Sequence, residues 1–297
     1  MRTRSANPAP VAAGARDDQA AGLRSLLGHR NLRVLPVLGT GASAQGAVAA
    51  HLARALAAGG MAVMLLDGIG SAVASVGLKP PHDLLALIEG ERAFGAVAQA
   101  AAPGLRAVLA RAGLAALVAA DAAGDDFFRG FLRVADPVQF MVLNLPALPA
   151  GHGGLWLPLP AAAGDVLLVM EADEAAMTAA YSIIKRACAG ELRCGFQVLV
   201  NGASGERGAR AACRQVADTA RRFLGVTVNY AGHLPRNSGG AAYPARGHAE
   251  SARILGRIAA GIPGWRLADC AIDSTDSLDS LDSRDSRDSL AASIAAH

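Results

Sequence analysis

The sequence predicts an α/β fold, a mostly parallel twisted sheet of about seven or eight strands with helices on both faces. Short apolar runs alternate with segments of helix-like apolar spacing, the βαβα order calls for a parallel sheet covered on both sides, and the first run ends in a glycine-rich turn that opens a helix. Strands are expected at residues 32–38, 62–67, 105–109, 138–144, 165–170, 196–201 and 226–234. Helices are expected at 44–58, 83–88, 125–134, 174–187, 207–224 and 248–260.

Either side of this core the composition changes. Residues 1–16 are rich in Ala, Pro and Arg without periodicity, and 17–27 carry a short helical pattern with Ala20, Leu23 and Leu27 on one face. Residues 1–30 are therefore expected to form a flexible segment holding a tethered helix, and 31–268 the α/β domain. An Asp-Ser-Xaa repeat runs from Asp273 to Ser289, and its side chains bury too little apolar area to offset the entropy of ordering, so 269–297 is expected to be a disordered tail.

Bulk properties exclude several classes. A 52% hydrophobic content is ample for a buried core, and a net charge of +3 with scattered arginines argues against direct nucleic-acid binding. Residues 138–164 are uncharged and hold four prolines and a Gly-His-Gly-Gly segment, which no lipid-exposed helix accommodates. Cys188, Cys194, Cys213 and Cys270 lack C-x-x-C pairing and no signal peptide precedes them, so they read as reduced thiols of a cytoplasmic protein. Within 253–267, Arg253, Arg257 and Arg266 accompany Ile254, Ile258 and Trp265, but Gly256, Gly261, Pro263 and Gly264 interrupt the pattern, so peripheral membrane contact is the most it allows.

The turn Gly39-Thr40-Gly41-Ala42-Ser43-Ala44-Gln45-Gly46 stands where backbone N–H groups and a helix dipole attract phosphate. Its plainest reading is a tight turn that needs glycine for its dihedrals. A second reading is a dinucleotide site, since residues 39–44 fit G-x-G-x-x-A, Asp67 ends the next strand, and Tyr181 and Lys185 have the spacing of a short-chain-dehydrogenase pair. That reading predicts a nicotinamide-dependent oxidoreductase.

A third reading rests on several stretches. Asp18-Gln19-Ala20-Ala21-Gly22-Leu23-Arg24 is similar to a D-Q-A-x-x-L-R element; Leu65-Leu66-Asp67, Gly77-Leu78-Lys79-Pro80 and Ile88-Glu89-Gly90-Glu91-Arg92 follow in order; residues 165–185 are similar to V-V-T-T-P-E-P-T-x-x-x-D-A-Y-x-x-I-K; and Gly232-His233-Leu234-Pro235-Arg236 is similar to G-x-I-P-x-D. Together, over about 17–235, they resemble the FlhG-type regulators of the MinD/ParA ATPase superfamily, which implies a MinD-like P-loop fold in which Tyr181 and Lys185 are ordinary helix residues.

The departures from that family's pattern are as informative as the matches. Its K-G-G-x-G-K-[ST] loop falls on Thr40 to Gly46, so Thr40 and Gln45 stand for both lysines and Gly46 for the magnesium-binding hydroxyl. Its D-x-D becomes Asp67-Gly68-Ile69, and its D-x-P-A-G becomes Asn144-Leu145-Pro146-Ala147-Leu148. Phosphoryl transfer depends on positioning and charge neutralisation, so losing these groups together predicts a pseudo-ATPase with no catalytic residues and no metal ligands. Gly39, Thr40, Gly41, Gln45, Gly46, Asp67, Asn144 and Asn201 are the vestigial nucleotide-site candidates, with no cofactor or weakly bound ATP or ADP expected. A feeble ATPase using other groups is the remaining enzyme reading.

For partners, the resemblance implies that Asp18, Gln19, Ala20, Leu23 and Arg24 stimulate the SRP-type GTPase FlhF, with a flagellar transcriptional activator or switch-complex proteins as further candidates. It implies a cytoplasmic location, polar or peripheral to the inner membrane.

Overall fold

The computed structural model describes residues 30–119, 127–128, 130–131, 135, 138–146, 164–189, 194–235 and 248–272. The expected N-terminal helix at 17–27, most of that at 125–134 and the tail after 272 lie outside these residues.

A single sheet organises the chain, built from β1 (Arg30–Gly39), β2 (Val63–Asp67), β3 (Gln99–Ala102), β4 (Leu105–Leu109), β5 (Phe140–Asn144), β6 (Val166–Glu171), β7 (Phe196–Ala203), β8 (Val228–Pro235) and β9 (Ala268–Ile272). The strand order is β3-β4-β2-β5-β1-β6-β7-β8, with β9 paired to β1. Pairing is parallel except for β3 on β4 and β9 on β1. All seven expected strands are present. The additional β3 and β9 make nine, and β9 carries the sheet to Ile272, past the composition change that set the expected domain end at 268.

Helices α1 (Ala42–Ala58), α2 (Ser71–Ser75), α3 (Leu84–Ile88), α4 (Phe94–Val97), α5 (Arg111–Ala119), α6 (Glu174–Cys188), α7 (Glu206–Leu224) and α8 (His248–Gly261) connect the strands. Side chains of α1, α2 and α8, among them Val48, Leu52, Val73, Leu255 and Ile258, pack on one face of the sheet. Those of α3, α5, α6 and α7, among them Leu84, Leu114, Ile184 and Val216, pack on the other with Phe128 and Phe131. With both faces covered, β2 and β5 are buried at every position, which is why their sequences are apolar without alternation.

Pro36 in the central strand needs explanation, because proline cannot donate to a ladder. Arg33 N–H points to Gln139 O on the β5 side and Thr40 N–H to Val169 O on the β6 side, so by alternation position 36 faces the β6 side. Pairing on that side passes from β9, whose register on β1 ends at Val34, to β6, whose register begins at Val37. Pro36 falls in the gap, where no donor is required.

Cys194 and Cys213 are buried and free, and burial pushes each thiol up to about 11, so both are protonated and inert near neutrality.

Candidate functional site

The parallel strands end on one edge of the sheet, and their order sets Asp67 (β2), Asn144 (β5), Gly39 (β1), Glu171 (β6) and Asn201 (β7) side by side there. Register makes this exact in two places, with Asp67 opposite Asn144 and Glu171 opposite Asn201. Ligands of open α/β sheets bind at this edge.

Three of the expected site residues form one buried hydrogen-bonded chain. Asp67 and Asn144 are 0% exposed and Gln45 is 1% exposed. Gln45 Nε2 lies 2.8 Å from Val37 O, 2.9 Å from Asn144 Oδ1 and 2.7 Å from Leu145 O, so its two protons are shared among three acceptors. Asn144 Nδ2 donates to Asp67 Oδ1 at 2.7 Å. Asp67 also accepts from Ile69 N–H at 3.0 Å through Oδ1 and from Val73 N–H at 2.7 Å through Oδ2. Because Val73 N–H belongs to the first turn of α2, the carboxylate satisfies an otherwise orphaned helix donor.

This arrangement accounts for the replacements at positions 45 and 144. A lysine at position 45 would present charge outward to phosphate, whereas Gln45 is folded inward beneath the turn. Gly39 permits that fold, since a Cβ there would sit 2.9 Å from both Cβ and Oε1 of Gln45. Two carboxylates facing each other at positions 67 and 144 would need a cation between them. Asn144 removes the repulsion and supplies a donor to Asp67.

Position 46 is closed to any side chain. A Cβ on Gly46 would stand 2.1 Å from Ser71 Oγ, 2.6 Å from Ser71 Cβ and 2.8 Å from the Ala72 amide nitrogen. Ser71 Oγ in turn donates to Ala42 O at 2.9 Å, fastening α2 to the start of α1. Ser71 carries no sequence signal for this role, because its partner is a backbone carbonyl in a distant turn. Replacing Gly46 with Thr is expected to force α2 away and to cost about 1–3 kcal/mol in urea unfolding. Part of that loss should be recovered by Ser71→Gly; unchanged stability of Gly46→Thr would contradict the packing.

The remaining candidates stay outside the buried chain. Gly41 precedes α1 as its N-cap residue without a side-chain cap, and Glu171 Oε1 would lie 3.7 Å from a Cβ on Gly41, which puts a carboxylate at the mouth of the turn. Thr40 N–H bonds to Val169 O, while Thr40 Oγ1 is buried without a hydrogen-bond partner. Asn201 is half-buried at the end of β7, two strands from β1, and is not part of the Gln45–Asn144–Asp67 chain.

A magnesium ion therefore does not fit these residues: position 46 has no hydroxyl and no room for one, Asn144 turns its donor rather than an acceptor to Asp67, and both Asp67 oxygens are engaged. Among the described residues, no group of three or more His, Cys, Asp and Glu side chains is placed to hold a metal ion.

The oxidoreductase reading meets a topological obstacle. In the dinucleotide fold the first two strands are neighbours, whereas β5 separates β1 from β2 here. Asp67 is also spent on α2 and Asn144 instead of being free for a ribose, and Lys185 is an exposed residue of α6, across the sheet from α1.

No protein-family model matches the chain. It is 30% identical over 192 residues to the antiactivator FleN of Pseudomonas aeruginosa, a match covering 63% of this chain and 68% of that protein. Its fold is similar to the MinD cell division protein of Aquifex aeolicus, with a TM-score of 0.58 at 16% identity over 78% of this chain and 97% of the other. It is also similar to the cell division ATPase MinD of Pyrococcus furiosus, with a TM-score of 0.52 at 15% identity over 78% and 98%. Cyanothece McdA in complex with ATP gives 0.53 at 14% identity over 78% and 95%.

Proposed function

Since the chain belongs to the FlhG/FleN-type MinD/ParA family, we propose that it regulates flagellar number and placement through protein contacts and has given up ATP turnover. The observation that carries this reading is the Gln45–Asn144–Asp67 chain, which joins the turn after β1, the end of β5 and the start of α2 through neutral donors in place of lysine and magnesium. In an ATPase of this fold those elements are bridged by the nucleotide and its metal. Here the bridge is built into the sequence, so the geometry of the site does not wait on a ligand.

The same reading leaves little for nucleotide to hold. The donors around the turn are neutral, and Glu171 adds negative charge at its mouth, so ATP or ADP binds weakly without metal or does not bind. The work passes to surfaces. Asp18, Gln19, Ala20, Leu23 and Arg24 form the segment that contacts the SRP-type GTPase FlhF and stimulates it, Ala20 and Leu23 giving the apolar face and Gln19 an amide able to orient water. The match to an antiactivator supports a flagellar transcriptional activator as a second partner. The chain acts in the cytoplasm, at the pole or peripheral to the inner membrane, and among the described residues no helix is long and apolar enough to cross a membrane.

Asp18→Ala and Gln19→Ala are expected to abolish stimulation of the cognate GTPase, at least about tenfold as for loss of a water-orienting group. Thermal unfolding of the domain should be unchanged by either. Full stimulation by both variants would overturn the assignment.

A further inference from the structure

Away from the Gln45–Asn144–Asp67 chain, the described residues leave one edge of the sheet open. β8 ends the strand order opposite β3, and among the described residues only β7 pairs with it. Phe196 N–H donates to Thr227 O, so by alternation the N–H and C=O groups of Val228 and Tyr230 point away from β7. Past Tyr230 the register slips by one residue, with Leu199 opposite Gly232, so the regular free run is short.

A cavity of about 450 Å³ lies along this edge, between the start of α7 and the second half of α8. Its two walls differ. α7 packs on one face of the sheet and brings Arg210, whose guanidinium sits 4.4 Å over the Tyr230 ring and 2.7 Å from Glu206. Arg207 and Arg214 continue the positive strip along the exposed side of that helix. α8 packs on the other face and brings Ile254 and Ile258, with Arg257 and Trp265 beside them. Arg207, Arg214 and Arg257 make no hydrogen bond or ion pair among the described residues, and Glu206 is the only acid lining the cavity or the strip. Glu206 itself registers the sign of the local field. The hydrogen bond and charge of Arg210, with His233 and Arg257 adding to them, hold its carboxyl below the ordinary carboxylate range.

A strand laid against β8 turns successive side chains to opposite faces. Alternate residues then meet the arginines of α7 and the apolar wall of α8. The free backbone groups supply main-chain partners and the two walls supply selection, as in recognition by strand addition. The fit calls for an extended segment in which acids alternate with aliphatic residues. A second copy of the same edge brings its own arginines against these, so like charge disfavours it as the occupant.

We propose that the β8 edge is a docking site for an extended acidic segment of a partner protein, its main chain on Val228 and Tyr230, its acids on the arginines of α7 and its aliphatic side chains on Ile254 and Ile258. The site uses none of the residues at the turn after β1, so its test does not depend on whether ATP is turned over.

The probe is a synthetic peptide of alternating Asp and Ile, titrated into the full-length chain in low salt and followed by fluorescence anisotropy, with hydrogen–deuterium exchange locating the contact. Exchange should slow at residues 228–235 on binding. Arg214→Glu with Arg257→Glu, both exposed and outside the core, should weaken binding at least about tenfold, as should about 1 M salt, since several exposed ion pairs are lost together. A peptide of alternating Lys and Ile should not bind. Equal binding of the Lys peptide, or of a peptide with the same Asp and Ile segregated into two blocks, would overturn the proposal. So would a double-stranded DNA that competes with the peptide and protects the same residues, which would give the arginines to nucleic acid. Protection that needs no peptide and falls on dilution would give the edge to a second copy and overturn it too.

Discussion

Asn144→Asp, which returns the family's own residue to that position, is expected to destabilise the chain by about 3 kcal/mol at neutral pH, the scale on which an uncompensated buried charge costs. Asn144 Nδ2 lies 2.7 Å from Asp67 Oδ1 and neither residue is exposed, so the substitution sets two carboxylates against each other with no cation placed between them. They can coexist only by sharing a proton, which raises the folded-state pKa of the pair above the ordinary carboxylate range. For a group whose folded pKa is raised, the stabilising contribution is complete below the unfolded value of about 4 and is lost as pH rises through the folded value. The deficit of Asn144→Asp against the unaltered protein should therefore shrink toward pH 4 and grow toward pH 7 in denaturant titrations. A variant as stable as the parent at pH 7 would mean that a counter-charge enters the site.

Asp67→Ala is expected to have an effect of similar size by the opposite route. It removes the acceptor of three hydrogen bonds and leaves Ile69 N–H, Val73 N–H and Asn144 Nδ2 without their partner. Unsatisfied buried donors cost about 1–3 kcal/mol each, and partial relaxation of α2 brings the sum to about 3 kcal/mol, or about 6 °C or more in Tm. Asp67→Asn keeps one acceptor but turns an amide donor toward another donor, so it should recover only part of the loss. Were Asp67 a spent catalytic group with no structural task, both substitutions would leave Tm unchanged or raise it.

The core of the fold was legible because parallel strands buried on both faces must be apolar throughout, as β2 and β5 are. Two strands escaped that logic. β3 is a short Gln-Ala-Ala-Ala edge segment without a β-branched residue, and β9 lies where the composition is already turning toward the Asp-Ser repeat. Helices α2 and α4 are single turns too short to show periodicity, and α5 is so rich in Ala and Leu that its polar face is faint. At the site, the positions of Gln45, Asp67 and Asn144 followed from the order of the motifs, and so did the loss of charge. Their contacts did not. An inward glutamine and an outward one have the same sequence, and the choice is made by Gly39 and by the acceptors at Val37, Asn144 and Leu145. Ser71 was invisible for the same reason, since a serine beside a backbone carbonyl leaves no pattern.

We propose that neutral hydrogen bonds stand at this site where phosphoryl transfer requires charge, and that the chain does not turn over ATP. It is tested most directly by phosphate release from ATP and magnesium by the purified full-length chain, alongside Asp67→Asn. Release indistinguishable from buffer is expected for both proteins. Magnesium-dependent turnover by the unaltered chain that disappears in Asp67→Asn would contradict it.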